Sequence, residues 1–232
     1  MPGYNGSSYS VASNGAVSTI SSAGVQTKFL RNRSFDNVIL TKKTDKGYGN
    51  TVTLALAKPA AGMGFGWNAA YTYSDVQSVH DGSSSVAYSN WRYFPRLQTN
   101  EEELARSRYE IRNRVNLGAT YKTKLFGNLT TSFGIFAEHR TGYPYSWTFY
   151  NDANGDGQAG NDLLYIPSAP GSGEVVFAAV GNKSPAESEL AFWNVVNSEK
   201  GLRNFKGQVV SRNSSTAPRV NVIDFRMSQD VP

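Results

Sequence analysis

Between Tyr109 and Tyr121 the chain alternates, with Tyr109, Ile111, Val115, Leu117, Ala119 and Tyr121 on one side and Glu110, Arg112, Arg114, Asn116 and Thr120 on the other. This period of two predicts a β-strand with different surroundings on its two faces. The same alternation recurs in Val52, Leu54 and Leu56, in Phe65, Trp67, Ala69, Tyr71 and Tyr73, in Leu129, Phe133, Ile135 and Ala137, and in Ile223, Phe225 and Met227. Phe136 is an intruder on the polar side of its strand. Strands are therefore expected near 48–58, 64–76, 107–122, 129–141 and 219–230. Soluble strands run about 5 to 6 residues, whereas a tilted strand crossing a bilayer needs about 9 to 11. Tyrosines at both ends of an aliphatic row suit rings at two headgroup levels with hydrocarbon between them.

The intervals between these strands alternate short, long, short, long. Turns are expected near Pro59–Gly64 and Leu125–Asn128, and long loops over 77–106 and 142–218. Outer-membrane barrels show this asymmetry, with short periplasmic turns and longer extracellular loops. Residues 1–34 lack a sustained period and read as an irregular or disordered start. Val38-Ile39-Leu40, a turn at Thr44–Gly47 and Tyr48–Lys58 suggest a hairpin. Ser184-Pro185-Ala186-Glu187 is a capping box, and Leu190, Trp193 and Val196 follow at helical spacing, so one short loop helix is expected over about 185–197. The fold class expected is all-β: a partial transmembrane antiparallel β-barrel wall over 35–232. Five strands do not close a barrel, and open edges in lipid are prohibitive, so further strands are expected outside this chain. Met1 is followed by no basic and then apolar block of a secretory leader, and the chain reads as a fragment.

Composition changes this picture little. A mean hydropathy of -0.43, with no run of about 18 apolar residues, excludes a transmembrane helix but not a barrel, because lumen residues dilute each spanning strand. The formal charge of +5 raises nucleic-acid binding, but the basic residues are scattered along candidate strands beside acidic ones, and no nucleic-acid partner is expected. Cysteine is absent, which removes disulfides and thiolate metal sites.

Candidate chemistry is sparse. Asp152, Asn154, Asp156 and Gln158 occupy the first positions of an EF-hand-type calcium loop, with Asp162 one place before the usual final glutamate, so calcium is a candidate ligand and no cofactor is required. A polar turn explains the same residues. Tyr143, Tyr145 and Trp147 form either a ligand-contacting aromatic platform or the outer aromatic girdle. His80 and His139 have no ligand-like spacing, the run Glu101-Glu102-Glu103 reads as a solvated face, and no nucleophile, base and orienter come together, so no enzyme is expected.

Thr44-Asp45-Lys46-Gly47-Tyr48, Ser89-Asn90-Trp91-Arg92, Ala105 to Arg114, Asn151 to Gly157 with Asn161-Asp162-Leu163, Phe205-Lys206-Gly207-Gln208 with Arg212-Asn213, and Asp224-Phe225-Arg226 form an ordered set. That set resembles the barrel of Oar-like TonB-dependent outer-membrane receptors from about Thr44 onward. The resemblance implies a parent with a 22-stranded barrel, a plug domain and a box that engages the TonB complex, importing a scarce nutrient across the outer membrane of a Gram-negative bacterium. Plug, box and driving machinery are not in this sequence, so no transport by this chain alone is expected. Arg112, Arg114, Glu138, Arg140, Asp224 and Arg226 are the expected lumen-facing polar residues, and outer-membrane lipid the partner of the apolar rows. The alternative is a soluble secreted β-sandwich or adhesion module that binds calcium. It would bury Val52, Leu54, Val115 and Leu117 in a protein core.

Overall fold

A computed structural model of the chain describes residues 8–11, 17–20, 39–98, 101–154 and 158–231. Its elements in order are β1 (Ser8–Val11), β2 (Val17–Ile20), β3 (Tyr48–Lys58), β4 (Gly64–Ser78), α1 (Ala87–Arg92), β5 (Ala105–Arg106), β6 (Asn113–Phe126), β7 (Leu129–Arg140), β8 (Pro144–Tyr145), β9 (Tyr165–Ile166), α2 (Pro185–Ser198), α3 (Lys200–Arg203), β10 (Gln208–Val209), β11 (Ser215–Thr216) and β12 (Val220–Gln229). The fold is mostly antiparallel β-sheet with few helices. Its sheets are open, and no described helix is long and apolar enough to cross a membrane.

The chain divides into two compact units. The sheet unit comprises Gly47–Gln77, Arg106–Pro144 and Thr216–Pro232. Its five long strands run in the order β12-β7-β6-β4-β3, each antiparallel to its neighbour. Four of the five expected strands appear nearly as read; the fifth starts late. The segment from 107 to 112 is not strand, and Tyr109 lies in a turn closed by the Glu110 N–H donating to the Ser107 carbonyl at 3.2 Å. The Glu110 carboxylate is drawn into a buried charge cluster, which overrides the local alternation.

Two further expectations need correction. Among the described residues the arm of the hairpin before β3 does not form: Ile39–Gly47 carries no regular structure, Asn37 and Val38 lie outside the described residues, and the described partner of β3 is β4. Lys42, Thr44 and Lys46 gather instead around Glu102, with Lys42 Nζ 2.9 Å and Thr44 Oγ1 3.2 Å from its carboxylate. Hydrogen bonding from Lys42, more than any other influence, holds the Glu102 carboxyl below the ordinary glutamate value, so this residue is more than a member of a solvated run. Within 1–34, β1 and β2 pair antiparallel with Ser8 opposite Ile20, where an irregular segment was expected. The remainder of that stretch lies outside the described residues.

The register aligns the apolar residues across the sheet. Leu56, Ala69, Leu117, Ala137 and Ile223 form one row, and Trp67, Ala119, Ile135 and Phe225 the next. Leu54, Tyr71 and Val115 lie on one side of these rows, and Phe65, Tyr121, Phe133 and Met227 on the other. Among the described residues, the sheet unit buries no Val, Ile, Leu, Met, Phe, Tyr or Trp. It is a single layer. On the opposite face Gly118 leaves room for the Asn68 side chain, whose Oδ1 would overlap any added Cβ.

The other unit comprises Met1–Lys46, Ser78–Ala105 and Tyr145–Ser215, so the two long loops fold rather than run structureless. Ser184 caps α2 as its sequence predicts: Ser184 Oγ accepts the Glu187 N–H at 3.3 Å, and the Glu187 carboxylate accepts the Ser184 N–H at 2.8 Å. Trp193, Val196 and Leu202 pack with Ile166 and Val210, and Trp147, Leu164, Phe192 and Phe205 close around them. Leu190, expected on the same stripe, is exposed, because the buried face is carried onward through Leu202 of α3 rather than backward by one turn. β9 and β10 pair beneath this cluster, and Gly207, at φ 72°, makes the turn that lets its N–H reach the Ile166 carbonyl at 2.8 Å.

Truncation of Trp193 to Ala should remove about 3–5 kcal/mol from the stability of this unit, whereas Leu190→Ala should fall within about 0.5 kcal/mol of the parent. Denaturant unfolding followed by near-ultraviolet circular dichroism measures both.

Candidate functional site

The sheet carries two faces of opposite chemistry, and the expected functional residues sort onto them. On the apolar face Leu54 is 66% exposed, Tyr71 43%, Leu117 49% and Ile135 49%. The apolar rows extend about 27 Å along the strands, or about 20 Å after a tilt of the usual size, comparable with the roughly 25 Å apolar band of outer-membrane barrels. His139 lies on this face near its end, where its Nδ1 meets the Asn221 Oδ1 at 2.6 Å.

On the polar face Arg114 of β6 stands directly opposite Arg140 of β7, and Glu138 lies between them. Arg140 Nε is 2.8 Å from Glu138 Oε1, and Arg114 Nε is 3.4 Å from Oε2. The Arg140 guanidinium also lies over the Tyr143 ring, 5.2 Å from its centroid. Asp224 and Arg226 share this face on β12, opposite Phe136 and Gly134, and are exposed. Phe136, the intruder, is thus bordered by glycine on one side, since Gly118 is its partner on β6.

Arg112 is placed differently from the other expected lumen residues. It lies before β6 and closes a cluster around the buried carboxylate of Glu110, which the sequence alone did not single out. Arg106 Nε is 2.5 Å and Arg112 Nε 2.8 Å from Glu110 Oε1, the Val76 N–H donates to Oε2 at 2.8 Å, and Arg112 Nη2 reaches Asp75 at 2.9 Å. Arg106 Nη1 continues to Thr216 Oγ1 at 2.8 Å. The one sequence signal is a glutamate spaced four after one arginine and two before another. Burial pushes the Glu110 carboxyl up, but hydrogen bonds from Arg112, the Val76 N–H and Arg106 outweigh it and hold the group below the ordinary glutamate value of 4.5.

The described calcium-loop residues, Asp152, Asn154, Gln158 and Asp162, belong to the loop unit. Asp152 and Asp162 are buried, and Asp162 Oδ2 accepts the Ala153 N–H at 2.6 Å, tying the loop's end to its beginning. Asn154 Nδ2 donates to the Leu97 carbonyl at 3.3 Å, and Gln158 Nε2 to the Tyr88 hydroxyl at 3.3 Å. Asp156 lies outside the described residues, and among the described residues no three acidic or imidazole groups gather as a metal cluster. The expected aromatic platform is divided. Tyr145 lies 5.6 Å from Trp147, but Trp147 packs against the Ile166 cluster and donates from Nε1 to Ser215 Oγ at 2.8 Å.

Other residues of the ordered set turn out to fasten loops. Asn90 Oδ1 accepts the N–H groups of Ser83 and Ser84 at 2.9 Å each. Arg212, buried, donates to the carbonyls of Ser78 at 2.7 Å and Glu103 at 3.1 Å beneath the Phe94 ring. Desolvation lowers its affinity for a proton. His80 stacks on the same Phe94 ring at 4.0 Å.

Because its folded pKa is depressed, Glu110 contributes stability that is complete above about pH 4.5 and fades as pH falls through the lower folded value. Glu110→Gln should cost on the order of 3 kcal/mol at neutral pH, by leaving Arg106 and Arg112 without their shared anion, and should flatten the acid limb of the stability profile. Unfolding midpoints between pH 3 and 7 for both proteins, roughly spanning the ordinary carboxylate range, measure this. Compared with known proteins, the chain matches no family model, no curated protein and no solved structure.

Proposed function

We propose that this chain is part of the wall of a TonB-dependent outer-membrane receptor of a Gram-negative bacterium, with its apolar face against lipid and its polar face toward the lumen. The observation that carries the reading is the unburied apolar face: five strands wide, aromatic toward both ends, and covered by nothing in the sheet unit. In water such a face would expose several hundred Å² of contiguous hydrocarbon, beyond what soluble monomers ordinarily carry. The two open edges, β3 and β12, leave backbone groups for neighbouring wall strands to pair. The sandwich alternative needs Val52, Leu54, Val115 and Leu117 inside a protein core; Val52, Leu54 and Leu117 are exposed and Val115 is half-buried.

In the intact parent the polar face would meet the plug and the passing nutrient, and the TonB complex would supply the drive. This portion neither opens nor transports alone. Its role is to separate lipid from lumen and to carry the loops.

The absence of cysteine makes single-cysteine labelling a direct test. With the full chain refolded into lipid bilayers, Leu117→Cys and Ile135→Cys should be quenched by nitroxide lipids, and should react at least about ten-fold more slowly with a membrane-impermeant thiol reagent than Asn116→Cys. Equal reactivity at adjacent positions in bilayers would sink the reading. Protection of Leu117→Cys in lipid-free water would favour the sandwich.

Calcium belongs to the same proposal as a weak ligand of the 152–162 loop, drawn from Asp152, Asn154, Asp156, Gln158 and Asp162. Calorimetry should return a Kd of about 0.1 to 1 mM, as for extracellular calcium modules. Asp156→Ala should abolish the heat, and no heat at millimolar calcium from the unaltered chain would end the idea.

A further inference from the structure

The polar face has more hydrogen-bond donors than acceptors at one place. Arg114 and Arg140 are direct cross-strand partners, an arrangement of like charges that is unfavourable unless something lies between them. Glu138 does, but one carboxylate serves two guanidinium groups and leaves one positive charge over. Its geometry also falls short. Arg114 Nε, although close enough for charge attraction, makes no hydrogen bond, and neither does Arg140 Nη1; both atoms are enclosed. Enclosed donors on charged groups are costly when they lack an acceptor. The Arg114 side chain remains 39% exposed, so its fork can be approached from the open side of the sheet.

The surroundings reinforce the imbalance. On the regular register of the long strands this face carries Arg114, Lys122, Arg140 and Arg226 against Glu138 and Asp224. Thr72, the β4 neighbour of Arg114, presents a hydroxyl that is already paired with that of Thr53 at 3.0 Å and adds no negative charge. A planar guanidinium fork with spare donors, backed by a second guanidinium, matches the two oxygens of a carboxylate or phosphate.

We propose that Arg114, backed by Arg140 and braced by Glu138, is an oxyanion-binding site on the polar face, and that its occupant is a small solute bearing a carboxylate or phosphate group. Its meaning as a nutrient contact rests on the barrel-wall reading; its chemistry does not. Arg114 is the binding residue. Arg140 and Glu138 position it, Glu138 by its charge attraction to the Nε side of both guanidinium groups.

The test uses the full chain refolded in detergent micelles and titrated with citrate and, separately, inorganic phosphate at constant ionic strength, with chloride as reference. Binding should be saturable and at least ten-fold tighter than chloride for one or both anions; which of the two binds names the group recognised. Arg114→Gln should weaken it ten-fold or more. Arg114→Lys, which keeps the charge but loses the fork, should weaken it by a smaller factor, and it decides the matter if the glutamine variant fails to fold. Lys122→Gln removes the same charge from the same face four rows away and should change affinity less than two-fold. Affinity no better than that of chloride, or equal losses from Lys122→Gln and Arg114→Gln, would overturn the proposal. Arg114-dependent binding by a chain that fails the bilayer test would overturn the barrel-wall reading and leave this site standing.

Discussion

An apolar sheet face that its own unit leaves uncovered is the constraint from which the rest of the sheet unit follows. Burial of hydrocarbon is the dominant favourable term in folding, and here, among the described residues, the sheet unit fully buries no large apolar side chain. Leu54, Leu117, Ile135 and Ile223 project from a single layer, and no second layer of that unit covers them. Such a sheet is stable only where its surroundings take the place of a core. Cross-strand polar contacts do the fastening on the other face: Thr53 with Thr72, Thr51 with Ser74, and Arg114 with Glu138. Contacts of this kind contribute only about 0.2–1 kcal/mol each, so they set register rather than supply the main stabilisation.

The loop unit solves the opposite problem by ordinary means. It buries Trp193, Val196, Leu202, Ile166 and Val210 together and fixes its irregular backbone with polar side chains. Asn90, Asp162, Arg212 and Glu102 each bond two or more groups distant in sequence or in the next turn. This gives a physical reason for much of the ordered set of polar motifs that the sequence carries in its loops. A long loop without regular structure has many backbone groups to satisfy, and asparagine, aspartate and arginine satisfy several at once.

Much of the fold was legible because it rests on local periodicity. β3, β4, β7 and β12 lie where the alternation of two put them, and α2 begins at its capping box. What failed did so where a distant partner outweighed the local pattern. Ile111 and Tyr109 alternate like strand residues, but Glu110 is more stable in contact with Arg106, Arg112 and the Val76 N–H than as a side chain on the open polar face. Trp147 alternates with Tyr143 and Tyr145, yet its ring completes the core around Ile166. Of the expected lumen residues, Arg114, Glu138 and Arg140 come together, Asp224 and Arg226 share their face, and Arg112 belongs to the Glu110 cluster.

By itself the sequence determined where β3, β4, β7 and β12 lie, which side chains within each of them share a face, and where the capped helix begins, since these depend on neighbours within a few positions. Tertiary structure alone decided that Arg114 and Arg140 stand opposite one another, that Glu110 turns inward and shortens β6, and that Leu190 stays in the open while Leu202 is buried. Those outcomes depend on register and on partners tens of residues away, and a one-residue slip between strands would have reversed the faces without changing a single local pattern.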